Sequence, residues 1–126
     1  MYYNDYIMRE IENLSRFVKA VFQRESSFEM VDEQGRISET GLLYYDLKSL
    51  ISENKLNEAE DLLFEKLEQN PDEEYLQIAI EFYKNLQNLS DEVLESASFP
   101  RQEIVQGLET VKRMLLERQS AQSADE

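Results

Sequence analysis

Glycine and proline are scarce in this chain, and their scarcity limits the fold more than any other feature of the sequence. The 126 residues include three Gly and two Pro. Sheet proteins need many tight turns, and tight turns depend on these two residue types. Long stretches with helical spacing run between the few breaks, so the sequence predicts an all-α fold of five to six helices. The length is that of one domain.

Apolar residues recur every three or four positions in these stretches, which is the period of one helix face. The predicted domain spans residues 1–119 and has four parts. In chain order they are an N-terminal helix, a loop, a repeat-like core and a C-terminal helix, at 1–24, 25–38, 39–97 and 100–119. The polar residues 120–126 lack apolar periodicity, and we expect a disordered tail there.

The core is predicted to contain four helices. The first ends near Asn54, which tolerates the left-handed backbone that follows many helices. The second starts at Asn57, which has capping-box spacing with Glu60, and stops before Pro71. The third is apolar on two sides, so we expect it to be the central element. Its two stripes are Leu76, Ala79, Ile80, Tyr83 and Tyr75, Ile78, Phe82, Leu86. A short fourth helix runs from Ser90 to Ser96.

The joint between the first two core helices recurs along the chain. The segment 54–59 reads NKLNEA and the segment 88–93 reads NLSDEV, at an offset of 34 residues. That is the period of tetratricopeptide repeats. This part of the chain resembles such a repeat, with Ala59, Leu63 and Pro71 in the family's order. The resemblance implies antiparallel helix-turn-helix pairs that stack side by side.

The chain departs from the family's pattern at several positions. Leu47 replaces the usual Gly, Val93 stands where Ala59 stood, and Val105 occupies the second Pro position. A generic antiparallel helix bundle with coincidental spacing therefore remains an open alternative.

The resemblance also implies where a partner would bind. The first helix of each unit lines a concave groove in such arrays, and aromatic residues there are good anchors for a peptide. The predicted partner-binding residues are Tyr44, Lys48, Ile51, Tyr75, Ile78 and Phe82. The groove is either open or filled by the first or last helix of the chain.

Residue types that the chain lacks exclude many kinds of chemistry. There is no His, no Cys and no Trp. The usual zinc sites, Ser-His and Cys nucleophiles, haem ligation and disulfides are excluded. The loop at 32–37 has the Gly of a calcium loop, but Met30 and Gly41 stand where carboxylates are required. We expect no catalytic residues, no metal ligands and no cofactor.

The net charge of −14 is unevenly placed. Residues 25–100 carry 19 acidic and five basic side chains, so the repeat-like part holds all of the excess. This charge argues against nucleic acid as a partner. The acidic surface either keeps the protein in solution or steers a basic protein partner towards it. The sequence has no signal peptide and no apolar run that suits a membrane span, which predicts a cytoplasmic protein.

These observations favour a non-catalytic protein–protein interaction or adaptor module over an enzyme. Two other classes stay open. One is a small-ligand or metal-binding protein or a carboxylate-dependent enzyme, and the other is a self-associating structural protein. The chain is expected to be a monomer or a homodimer through residues 1–24. As a whole it also resembles an uncharacterised bacterial family of small acidic helical proteins, through its NDYIMR start at 4–9 and its acidic middle.

Overall fold

The structure is a computed structural model that describes residues 2–22, 31 and 33–124. These residues form six helices and one isolated antiparallel bridge between Val31 and Ile37, which confirms the all-α prediction. The helices are α1 (Tyr2–Phe22), α2 (Glu39–Ser52), α3 (Leu56–Gln69), α4 (Glu73–Gln87), α5 (Asp91–Ser96) and α6 (Arg101–Ala124). None of these described helices combines the length and the apolar character that crossing a membrane would require.

Helix α4 is the centre of the fold, as its two apolar stripes predict. It packs against α1, α2, α3 and α6. All eight residues of the two stripes are buried, and Tyr75 is the most exposed of them at 8%. A helix that is apolar on two sides has to pack against neighbours on two sides. Helix α4 therefore holds the other helices together through the hydrophobic effect.

The two terminal helices close over α4 and also contact each other. The apolar stripe of α1, which has the spacing of three or four positions noted above, is buried inside the chain, with exposed fractions of 0–4% at Ile7, Ile11, Leu14 and Val18. The stripe of α6 is buried in the same way, at Ile104, Leu108, Val111 and Leu115. A homodimer through residues 1–24 would therefore have to use other residues of α1, because the packed core already covers this stripe.

Polar side chains start three of the helices. Ser38 accepts a hydrogen bond from the Gly41 N–H (2.9 Å), and Asp72 and Ser90 cap α4 and α5 in the same way. An accepting side chain at this position satisfies one of the free N–H groups of the first turn. The short helix predicted to start at Ser90 begins at Asp91 in the structure, with Ser90 as its cap.

The predicted capping box of α3 is wrong. The helix begins at Leu56 after Lys55, and no side chain caps it. Tertiary partners take the two side chains instead. The Asn57 amide donates to the Ala97 carbonyl (3.0 Å), and the Glu60 carboxylate accepts from the Tyr83 hydroxyl. Spacing along the chain could not reveal these competing partners.

Both α2 and α5 end in a Schellman turn, in which two N–H groups bond back to carbonyls of the last turn. The left-handed residue of this turn is Asn54 after α2 (φ 63°) and Ser98 after α5 (φ 55°). The N–H groups of Asn54 and Lys55 bond to Ile51 and Leu50, and those of Ser98 and Phe99 bond to Glu95 and Leu94, at 2.9–3.0 Å. The prediction that Asn54 ends α2 is confirmed.

The two joints related by the 34-residue offset differ in backbone conformation. Asn88, the counterpart of Asn54, caps α4 with a right-handed backbone (φ −82°). The left-handed turn after α2 instead lies beside the turn after α5, because the Asn54 amide donates to the Ser96 hydroxyl at 2.8 Å. The sequence offset therefore does not carry over into identical joints.

The ends of α6 differ from the prediction. The helix begins at Arg101 instead of Pro100 and continues to Ala124, five residues beyond the predicted end at 119. No Gly or Pro interrupts residues 119–124, and Ala and Gln are good helix formers. In the predicted loop 25–38, Gly35 has a left-handed backbone (φ 80°) in the turn before Ile37. Residues 1, 23–30, 32 and 125–126 lie outside the described residues, and so do the predictions made for them.

Arg101 joins three segments of the chain. Its guanidinium donates to the backbone and side-chain oxygens of Gln87 (3.1 and 2.9 Å) and to the Leu89 carbonyl (2.9 Å). It also pairs with Asp91 at 2.7 Å. A cation beside the last carbonyls of α4 interacts favourably with the helix dipole. This one side chain therefore fixes how α4, α5 and α6 meet.

Replacing Arg101 with Met should destabilise the fold, because Met keeps an unbranched apolar stem and loses every one of these donors. Hydrogen bonds to a charged group contribute about 1.5–3 kcal/mol, and we expect a loss of that size in urea unfolding. Arg113→Met, at an exposed position of α6, is the matched control and should change stability by less than about 0.5 kcal/mol. Equal effects of the two substitutions would contradict the role assigned to Arg101.

Candidate functional site

Three of the six residues predicted to bind a partner lie on α4 inside the core. Ile78 and Phe82 are 0% and 1% exposed, and Tyr75 is 8% exposed. The Phe82 ring packs edge-on against the neighbouring Tyr83 ring, with centroids 5.1 Å apart. In this conformation a partner cannot reach Ile78 or Phe82, because α4 is covered by the helices that surround it.

The other three predicted residues lie on α2 and are more accessible. Tyr44 and Ile51 are half-buried and Lys48 is exposed. The Lys48 ammonium lies 5.9 Å from the centroid of the Tyr44 ring, within range of a cation–π contact. The structure therefore divides the predicted set between an inaccessible core and a helix that borders solvent.

The outer face of α2 carries apolar side chains that the sequence reasoning missed. Leu42 is 48% exposed and Tyr45 is 60% exposed, one helical turn apart. The signal was present in the run Leu42-Leu43-Tyr44-Tyr45, since four consecutive residues of a helix cannot all face one side. Leu43 is buried at 4% exposure, and Leu42 and Tyr45 of the same run face solvent.

Leu42 borders a groove between α2 and α3, which we call the α2–α3 groove. Its volume is about 420 Å³. Four apolar side chains line it, and the rest of its lining is polar. The apolar residues are Leu42, Leu43, Leu62 and Tyr75, and the polar ones are Glu39, Asp46, Lys66, Gln69 and Asn70. Contact surfaces between proteins commonly combine apolar side chains with polar ones in this way.

The α4 end of this groove is electronegative. Burial raises the pKa of the Tyr75 phenol, and the nearby carboxylates of Glu39, Asp72 and Glu74 raise this pKa further. A raised phenol pKa means that a negative charge is disfavoured at this position. Glu74 is oriented by the Thr40 hydroxyl, which donates to it at 3.2 Å. Burial disfavours a charge of either sign, whereas the field of the three carboxylates favours a positive one.

A second groove, of about 450 Å³, lies between α3 and α6. Polar residues and Gly107 make up most of its lining, and Phe64 is its one large apolar side chain. Beneath it the Tyr83 hydroxyl donates a hydrogen bond to the Glu60 carboxylate at 2.6 Å. Burial raises the pKa of Glu60, the Tyr83 hydrogen bond opposes this, and Glu103 and Asp61 add to it.

The Glu60–Tyr83 pair has the character of a buried structural contact. Tyr83 is fully buried, and its burial followed by the charge of Glu60 raises the pKa of the phenol. A hydroxyl that already donates to a carboxylate and is closed off from solvent is poorly placed for proton transfer to a substrate. Within the part of the chain that the structure describes, no group of three or more acidic residues is arranged to hold a metal ion.

Gly107 allows Tyr83 to occupy this position. A Cβ atom at residue 107 would overlap the Tyr83 ring and hydroxyl. Because residue 107 has no side chain, α4 and α6 approach closely at this point, and the Tyr83 ring of α4 fills the space.

The helices and the α2–α3 groove define a small all-α protein with an accessible groove between two antiparallel helices. A family model matches residues 1–116, and the chain belongs to that family, which is described as a family of unknown function, DUF6483. This agrees with the expected membership of an uncharacterised family. Comparison with curated proteins and with solved structures produced no match.

The close contact at Gly107 predicts that Gly107→Ala is destabilising. Overfilling a packed site costs about 1–3 kcal/mol, whereas helix propensity alone would make the substitution stabilising by about 0.5–1 kcal/mol. Chemical denaturation distinguishes the two signs. In a Tyr83→Leu background the ring is absent, and the same substitution should cost less. A stabilising Gly107→Ala in the wild-type background would contradict the assigned contact.

Because the pKa of Glu60 is raised, the difference in stability between wild type and Glu60→Gln should depend on pH. The Gln side chain keeps an oxygen for the Tyr83 hydroxyl and carries no charge. The folded state binds the Glu60 proton more tightly than the unfolded chain, so wild type loses stability as the pH rises from the ordinary pKa of 4.5 through the raised value. The advantage of the Gln variant in free energy of unfolding should grow over that range and then level off.

Urea unfolding at a series of pH values measures this difference. Tyr83→Phe is the informative companion variant, because it removes the hydrogen bond that lowers the pKa of Glu60 and should extend the range to higher pH. A difference between wild type and Glu60→Gln that stays constant from pH 4 to pH 8 would show that Glu60 is not desolvated.

Proposed function

We propose that this protein is a non-catalytic protein-interaction or adaptor module of the bacterial cytoplasm. Its contact surface is the α2–α3 groove together with the exposed face of α2, on which Leu42 and Tyr45 lie. A partner would bury these two side chains and lay a peptide or helix along the groove. The predicted residues Tyr44, Lys48 and Ile51 lie on the same helix, and none of the three lines this groove.

The exposed pair Leu42 and Tyr45 is the observation that carries the proposal. Each large apolar side chain left in water costs free energy that its burial would recover, about 25 cal/mol per Å². Scattered apolar residues are normal on a surface, but these two are one turn apart and Leu42 also lines a groove of about 420 Å³. An aromatic side chain beside an apolar groove is a common anchor of protein interfaces.

The resemblance to tetratricopeptide repeats supports the same function. Ala59 and Leu63, two of the residues that carry the resemblance, are fully buried on α3, and Pro71 follows this helix within two residues. A small buried residue at Ala59 suits a close approach of paired helices. We propose that α2 and α3 form one such unit and that α4 with the short α5 forms a second, degenerate one.

Affinity capture with matched surface variants tests the proposal. Wild type, Leu42→Asp combined with Tyr45→Asp, and Leu116→Asp would be immobilised and exposed to lysate of the source organism at low salt. Leu116 is 44% exposed on α6 and so matches Leu42 in exposure while lying on another helix. Circular dichroism and unfolding curves would establish that all three are folded.

We expect at least one protein to be recovered by wild type and by Leu116→Asp and to be lost with the α2 double variant. Recovery that is the same for all three chains, or that fails only with Leu116→Asp, would contradict the α2 surface as the site of contact.

A further inference from the structure

We infer that the partner of the α2–α3 groove is a basic amphipathic helix, which places a large apolar side chain against Leu42 and Leu62 and a Lys or Arg beside Glu39. This inference rests on the proposed function and adds the chemistry of the partner to it. It follows from the shape, the lining and the charge of the groove taken together.

The lining of the groove requires an amphipathic partner. Its lining combines the apolar side chains of Leu42 and Leu62 with the carboxylates of Glu39 and Asp46. A wholly polar segment would leave Leu42 and Leu62 in water, and a wholly apolar one would bury the two carboxylates without partners, which is costly. A segment with one apolar stripe between charged positions satisfies both parts of the surface.

The groove lies between two antiparallel helices, and a helix fits such a surface better than an extended strand. A strand gains affinity from main-chain hydrogen bonds to a sheet edge. Residues 39–69 contain no such edge, because both elements are helices whose backbone groups bond internally. A helix instead packs side chains into the depression between neighbouring helices, with its own backbone satisfied.

The charge of the surface requires a basic partner. Residues 39–69, which comprise α2 and α3, carry eight acidic and three basic side chains, a net charge of −5. Among the described residues neither Glu39 nor Asp46 forms a salt bridge. Glu39, Asp72 and Glu74 all act on Tyr75 at one end of the groove. Within the lining, Lys66 stands against the two carboxylates of Glu39 and Asp46, so the groove itself keeps a net charge of −1.

The direction of the partner follows from where the acidic groups lie. Asp72 and Glu74 stand at the start of α4, next to Glu39 at the start of α2. A cation placed there would be attracted by the three carboxylates, all of which act on Tyr75, and Thr40 of α2 bonds directly to Glu74. The basic end of the partner helix therefore lies at the Tyr75 end of the groove, and its apolar stripe runs along Leu42.

Three synthetic peptides of about 18 residues, or five helical turns, test the inference by fluorescence anisotropy. The basic peptide has a Leu stripe at i, i+3, i+4 and i+7 spacing with Lys elsewhere. The acidic peptide carries Glu in place of Lys. The scrambled peptide has the composition of the basic one without a stripe, and so keeps its net charge.

We expect the basic peptide to bind more tightly than either of the others. Leu42→Asp removes an apolar contact in the groove and should weaken binding of the basic peptide about tenfold. Leu116→Asp adds the same charge on another helix and should leave the affinity within about twofold of wild type. Glu39→Gln should weaken binding by a smaller factor and reduce its dependence on salt.

The contradicting outcomes separate the partner chemistry from the proposed function. Equal binding of the basic and scrambled peptides, unaffected by Leu42→Asp, would reduce the effect to net charge and overturn the inference. Tighter binding of the acidic peptide would overturn the inference that the partner is basic. If Leu42→Asp still weakens binding of that peptide, the α2–α3 groove remains the site of contact. If none of the three peptides binds, while capture from lysate still depends on Leu42 and Tyr45, the inferred chemistry of the partner is overturned and the proposed function is not.

Discussion

Burial of α4 on two sides is the constraint on which the rest of the structure depends. A helix with two apolar stripes needs neighbours around most of its circumference, and α1, α2, α3 and α6 supply them. The stripes of α1 and α6 are used in this way, and among the side chains that the structure describes on these two helices the exposed large apolar ones are Tyr6 and Leu116. Helix α2 packs mainly on α3 and α4, and its outer face keeps Leu42 and Tyr45 in solvent.

Polar contacts then determine how the helical pairs meet. The guanidinium of Arg101 binds the end of α4, and the amides of Asn54 and Asn57 reach Ser96 and Ala97 across the bundle. Each of these contacts joins segments that are far apart in sequence, and each uses a donor whose geometry suits its acceptors. The hydrophobic core determines which helices touch, and these side chains select one arrangement among the arrangements that the core would allow.

Periodicity and helix breaks were sufficient to predict the helices, because these are local properties. The stripe of α1, the centrality of α4, the left-handed residue Asn54 and the cap at Ser90 all follow from short-range rules. The capping box of α3 failed because Asn57 and Glu60 have tertiary partners, Ala97 and Tyr83, which no short-range rule includes. The proposed surface was missed for the opposite reason. A resemblance placed Ile78 and Phe82 in a groove, whereas the run 42–45 already required apolar residues on the outside of α2.

A paramagnetic relaxation measurement on methyl-labelled protein tests most directly whether the apolar face of α2 is open while those of the terminal helices are closed. A soluble gadolinium chelate relaxes methyl groups according to their access to solvent. We expect strong relaxation for the Leu42 methyls and little for those of Ile7, Ile78 and Leu108, at concentrations where the protein is monomeric. Protected Leu42 methyls, or relaxation of Ile7 as strong as that of Leu42, would contradict this expectation.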